Sequence, residues 1–126
     1  MIASPMPQAG PPRSVPLPKS HEEHLANGLR VVVFSRGETA GMRIPLVSAS
    51  IAFERGSASD PPRRPGVAAM TSALLREGTK RRSAAELDLA ADALGARLDR
   101  STSYDASTAG VSATSPVFGD ALALFA

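Results

Sequence analysis

The chain has no cysteine, no tryptophan, one tyrosine and four phenylalanines. Without cysteine, disulfide staples, thiolate nucleophiles and thiolate-ligated metals are excluded, and neither an oxidising nor a reducing compartment is indicated. With aromatics at 4%, the core has to be built from Ala, Val and Leu. No apolar run approaches the length of a membrane span, and the N-terminus lacks the basic flank and apolar stretch of a secretory signal. Large charge of one sign is also missing: 14 Lys and Arg against 12 Asp and Glu leave a formal +2. The basic pairs Arg63-Arg64 and Arg81-Arg82 are short and have no aromatic neighbours, which excludes the usual nucleic-acid footprint.

What is present suffices for a folded domain, with 126 residues of which 43% are hydrophobic. Six of the 11 prolines fall within Met1 to Pro18, so residues 1–20 are expected to form a flexible Pro-rich tail and 21–126 the folded part. His21-Glu22-Glu23-His24 places two histidines on opposite faces of an extended strand, a poor arrangement for a shared metal. Asn27-Gly28 is the strongest turn signal; a two-residue hairpin turn there joins Glu22–Ala26 to Leu29–Phe34. A loop follows over Arg36 to Pro45. Leu46 to Glu54 alternates, with Val47, Ala49, Ile51 and Phe53 on one face of a half-buried strand. Ser83 with Glu86 three residues on forms a capping box that opens a helix with Leu87, Ala91 and Leu94 on one stripe, and Gly95 can end it. Arg97 to Ala113 reads as two strands turning near Tyr104-Asp105. Ser115-Pro116 starts a last helix with Phe118, Ala121, Leu122 and Phe125 along it. That helix reaches the last residue uncapped, as expected of a domain that is incomplete at the C-terminus. The element order predicts an α+β fold, an antiparallel sheet with helices packed on one side.

The remaining stretch, Pro65 to Thr79, reads as one helix with Pro65 near its first turn and Gly78 in a left-handed cap. Val67, Ala68, Met70, Leu74 and Leu75 are its expected apolar contacts, while Ala69, Ser72, Ala73 and Arg76 line another side that offers no metal ligand. Three blocks occur in order: Leu25-x-Asn27-Gly28-Leu29 before Val31-Val32-Val33; Gly56-Ser57-x-x-Asp60-Pro61 leading to Gly66-x-Ala68 and, after the helix, Gly78-Thr79; and Gly95-x-x-Leu98-Asp99-Arg100-x-Thr102-Ser103. Together they resemble the N-terminal domain of the pitrilysin/insulinase family of zinc metallopeptidases, from about Leu25 to the end.

In active members of that family the helix carries His-x-x-Glu-His, two zinc ligands and a general base. On this chain the histidine positions fall on Ala69 and Ala73 and the glutamate on Ser72. The resemblance therefore implies a scaffold without zinc or catalytic residues, the metal being held by active relatives or by a partner, and the third zinc ligand of such relatives would lie downstream. It also implies the family's α/β roll, and a substrate-binding edge strand on Asp99, Arg100, Ser101, Thr102 and Ser103. Asp99 and Arg100 depart from the family's asparagine and alanine; the same charges would also protect an exposed strand edge from pairing with other chains. The implied role is that of a non-catalytic homologue pairing with a zinc-bearing peptidase subunit around a peptide or unfolded polypeptide. A non-catalytic repeat of a longer zinc peptidase, or a stand-alone peptide-binding module, are the alternatives. Relatives of this kind suggest a bacterial periplasm or cytoplasm.

Overall fold

The structure is a computed structural model that describes residues 10, 18–35 and 45–126. The expected Pro-rich tail and the loop over Arg36 to Pro45 lie almost wholly outside the described residues. The chain falls into two compact units, Met1–Ile44 and Pro45–Ala126.

In the first unit, β1 (Ser20–His24) pairs antiparallel with β2 (Arg30–Phe34), His24 opposite Arg30. The turn differs from the two-residue form expected. Leu25 N–H donates to Leu29 C=O at 2.9 Å and Gly28 N–H to Leu25 C=O at 2.8 Å, closing a three-residue loop over 26–28. Gly28 supplies its positive φ of 84°, and the Asn27 side chain accepts from Leu29 N–H at 3.0 Å. On β1, Glu22 is gripped by Arg30 Nε and Nη2 at 2.5 and 2.9 Å, and these bonds hold its carboxyl below the ordinary carboxylate range. His24 lies 3.7 Å from the same carboxylate. Among the described residues no three His, Asp or Glu side chains converge on a point.

The second unit holds β3 (Leu46–Phe53), α1 (Val67–Leu74), α2 (Ala84–Ala93), β4 (Arg97–Thr102), β5 (Ser107–Thr114) and α3 (Phe118–Phe125). The three strands form an antiparallel sheet in the order β3-β5-β4. Alternation sends Val47, Ala49 and Ile51 of β3, Leu98 of β4 and Ala109, Val111 and Ala113 of β5 to one face, where the core lies. The other face carries Ser48, Ser50, Ser101, Thr108 and Ser112, with the Ser48 and Ser112 hydroxyls 2.9 Å apart. This is the expected α+β architecture. Its core is made of small residues, as the scarcity of aromatics requires: Val111 and Ala113 are 1% exposed and Ala121 of α3 fully buried, with Leu94, Leu98, Phe118 and Phe125 around them.

α2 has the capping box read from the sequence: Ser83 Oγ accepts from Glu86 N–H at 3.4 Å, and Glu86 Oε2 accepts from Ser83 N–H at 2.8 Å. Leu87 and Ala91 are its buried residues, and Gly95 follows in the left-handed region at φ 58°. A 3-10 turn over Ser115–Val117, with Pro116 in it, leads into α3.

α1 departs from expectation at both ends and in its face. It begins only at Val67, because Gly66 sits at φ 92° and leaves Pro65 outside. It ends at Leu74, where i to i+3 bonds from Leu75 and Glu77 tighten the chain. Gly78, at φ 117°, does not cap the helix; it forms an antiparallel bridge with Ser83 that closes the turn before α2. Val67, Met70, Leu74 and Leu75, expected as packing contacts, are 42–63% exposed, and Ser72 is the buried residue of the helix. On the side that faces β4 only Ser72 is buried, while Ala69 and Ala73 are exposed and line the space beside that strand, so the helix meets the sheet through a polar residue and the bulky stripe lies elsewhere.

The loop before α1 is anchored by backbone contact. Ser57 N–H donates to Ser103 C=O at 3.0 Å and Ala58 N–H to Tyr104 C=O at 2.9 Å. A Cβ on Gly56 would collide with the Ser103 carbonyl oxygen and stand 2.6 Å from Tyr104 O and 2.7 Å from Ala106 N, all backbone atoms that cannot rotate away. Gly56→Ala is therefore expected to break both bonds and cost about 2–3 kcal/mol. Gly119→Ala, with nothing within 4 Å of the new methyl and a helical position, should be neutral or stabilise by up to about 1 kcal/mol. Thermal unfolding followed by far-UV circular dichroism separates the two; equal melting temperatures would contradict the close approach.

Candidate functional site

Two attachments set α1 against β4. At its N-terminal end the Asp60 carboxylate accepts from Gly66 N–H at 2.6 Å and from Ala68 N–H at 2.8 Å, so it caps the helix from six residues upstream of Gly66. A carboxylate there satisfies orphan helix donors and complements the positive end of the helix dipole. Asp60 follows directly on the loop bound to the β4–β5 turn, which ties the helix start to the sheet. Beyond the other end, Arg76 Nη2 meets Asp88 Oδ1 of α2 at 2.5 Å. That bond, with the negative charge of Asp88, Asp99 and Asp92, raises the Arg76 pKa above its ordinary value and keeps the side chain cationic. Arg76 Nε is buried and has no hydrogen-bond partner among the described residues.

Between these attachments lies a shallow, widely open cleft of about 410 Å³, lined by Ala69, Ser72, Ala73 and Arg76 of the helical side and by Leu98 to Thr102 of β4. The structure thus brings together the two residue sets singled out in the sequence. Ser103 is the exception: it lies past the end of β4, where its N–H donates to Ala106 C=O at 2.8 Å. That bond also fixes the phase of the ladder. Ser103 and Ala106 form a hydrogen-bonded pair, so alternation makes Ser101, Asp99 and Arg97 the next such residues toward β5. Leu98, Arg100 and Thr102 consequently turn their N–H and C=O groups to the edge that pairs with no strand among the described residues, while their side chains face the helices. Asp99 points to the opposite face, where Arg97 Nε binds it at 2.7 Å.

A depression of about 220 Å³ on that opposite face is lined mostly by hydroxyl and small residues, among them Ser48, Ser50, Gly110 and Ser112. It is not where the α1 positions meet the strand edge. Sequence reasoning found the cleft's residues but missed its two fasteners. Asp60 was visible only as part of a pattern, since no local rule assigns a cap to a side chain six residues away. Asp88 had no sequence signal beyond being an acid on the second helix.

The cleft does not fit zinc. Ala69 and Ala73 carry no donor atom, the buried Ser72 hydroxyl is a weak ligand, and the nearby Arg76 cation opposes a dication.

Residues 42–126 match the family model described as Insulinase (Peptidase family M16). Two solved structures are similar. One is a protease from Helicobacter pylori, 26% identical, with a TM-score of 0.73 over 86% of this chain and 25% of its own. The other is a peptidase M16 inactive domain from Pseudomonas fluorescens, 28% identical, with a TM-score of 0.73 over 84% of this chain and 25% of its own. The chain thus spans about a quarter of the length of these structures. No curated protein matches it.

Restoring the missing groups tests what the cleft lacks. The protein carrying Ala69→His, Ser72→Glu and Ala73→His has two imidazoles one helical turn apart, still one ligand short of a catalytic site. Its new carboxylate enters a position that is 9% exposed, and Arg76 remains beside it. After dialysis against zinc, metal analysis is expected to show no zinc held at the unaltered cleft and weak uptake at best in the triple variant. One tightly held equivalent that the unaltered protein loses on Ser72→Ala would refute the reading.

Proposed function

The chain belongs to the insulinase family of peptidases, M16, and on that premise we propose that it is a non-catalytic member that pairs with a zinc-bearing relative and helps to hold the peptide. The observation that carries this reading is the cleft itself. A helix flank of Ala69, Ser72 and Ala73 stands beside a strand edge whose Leu98, Arg100 and Thr102 backbone groups are turned outward, so the means of holding an extended peptide are present where hydrolytic groups are absent. An extended polypeptide can add to such an edge through main-chain hydrogen bonds, with side-chain pockets giving selectivity. The 28% identity to a structure described as an inactive domain supports the same reading.

In this role the chain supplies no general base and no metal. Zinc belongs to the partner, and this chain's residues bind and orient the substrate backbone. A second reading, a non-catalytic repeat of a longer zinc peptidase, is supported by the likeness to a structure described as a protease. The two readings differ in whether the zinc-bearing half is a separate polypeptide.

Co-expression with a zinc-bearing family member, followed by gel filtration, is the test. A stable pair is expected, with an interface above about 2,000 Å², as for permanent complexes, and peptidase activity that falls when this subunit is withdrawn. Two proteins eluting separately, with unchanged activity of the active one, would dismiss the separate-subunit reading. A His-x-x-Glu-His elsewhere in a longer chain, whose mutation abolishes activity, would establish the second.

A further inference from the structure

We propose that the cleft selects an extended peptide segment carrying an acidic side chain at the position directly across from Arg100. This inference rests on the proposed pairing of a peptide with β4 and adds a charge requirement to it. Arg100 turns its backbone groups to the edge of β4 away from β5, so a ligand strand pairing there places one residue directly opposite it. Cross-strand neighbours project to the same face with Cβ atoms about 5 Å apart. The ligand side chain opposite Arg100 therefore enters the space beside Ala69 and Ala73, small residues that leave room for it.

The charges in that space favour a carboxylate. Three charged residues line the cleft: Arg76, Asp99 and Arg100. Asp99 faces the other side of the sheet and is engaged by Arg97 at 2.7 Å. Arg100 forms no ion pair among the described residues and is only half-buried. Arg76 gives one nitrogen to Asp88 at 2.5 Å, and its buried Nε has no acceptor among the described residues. Arg76 is thus met by Asp88 and, at longer range, by Asp99 and Asp92, which leaves Arg100 as the cation of the lining with no ion pair among the described residues. A glutamate or aspartate side chain opposite Arg100 would give that guanidinium an acceptor through charge-assisted, bidentate hydrogen bonds. A lysine at the same place would meet like charge.

The test uses fluorescently labelled, unstructured, otherwise uncharged peptides that differ at one central position, Glu, Gln or Lys, with binding to the intact protein read by anisotropy. The Glu peptide should bind about tenfold more tightly than the Gln peptide at low salt, with the Lys peptide weakest, and the preference should shrink as salt screens the partly exposed charges. Arg100→Gln should bring the Glu peptide to the level of the Gln peptide, because the guanidinium that separates the two is gone. Arg100→Glu should reverse the order in favour of Lys. Equal binding of the Glu and Gln peptides overturns this inference and leaves peptide pairing standing; no binding of any peptide overturns both. A Glu preference that survives Arg100→Gln overturns the assignment to Arg100. If Arg100→Gln fails to fold, the peptide series on the unaltered protein still decides the charge requirement, and Arg100→Lys, which keeps the charge but not the planar fork, decides the residue by a reduced Glu preference.

Discussion

Strand β5 pairs along its whole length with β3 and over six residues with β4, and its helix-facing Val111 and Ala113 meet Ala121 of α3 in the most deeply buried cluster among the described residues. Full burial of one valine is worth about 1.5–3 kcal/mol, and alanines contribute less, so this core holds by closeness rather than by bulk. Its small side chains let the sheet and α3 approach, and a larger residue at Ala113 or Ala121 would have to push the layers apart. The frame that carries β4 as an edge strand depends on that contact.

The site inherits a graded rigidity from this frame. Asp60 holds the start of α1 by two hydrogen bonds to backbone donors, an arrangement worth about 1 kcal/mol or more. The Arg76–Asp88 pair at the far end is 41% and 50% exposed, so solvent screening leaves it below about 1 kcal/mol. The helix is therefore fixed most firmly where the loop from Gly56 meets the β4–β5 turn, and more loosely where Arg76 approaches the cleft. A ligand carboxylate near Arg76 would meet the more adjustable end.

Much of this arrangement was legible in the sequence wherever the signal is local. The alternation of Leu46 to Phe53, the Ser83 and Glu86 capping box and the stripe of Leu87, Ala91 and Leu94 each follow from neighbours a few residues apart, and the structure realises them. The family pattern placed Ala69, Ser72 and Ala73 on a helix and Asp99 to Thr102 on an edge strand, and these meet in one cleft. What failed were inferences that tertiary contact decides. The bulky stripe of α1 looked like its core face because hydrophobicity was the only guide, whereas the residue of this helix that is buried is the hydroxyl-bearing Ser72. Gly78 looked like a helix stop, yet its φ of 117° serves a bridge to Ser83 whose partner lies across a turn. Asn27-Gly28 marked the right corner, but the loop gained a residue because Leu25 pairs with Leu29.

The β4–β5 turn carries the chain's one tyrosine, and there is no tryptophan. Tyr104 contributes its backbone carbonyl to Ala58, while its ring is 70% exposed. Its phenol already sits in an aqueous environment in the folded state, so it would see little change when the chain unfolds. The molecule is in this sense optically mute: ultraviolet absorbance and intrinsic fluorescence report its concentration poorly and its tertiary structure hardly at all. For the same reason a tryptophan or an indole-bearing peptide brought to the cleft would stand against an almost dark background, and the adjoining strand edge could be observed without extrinsic dye.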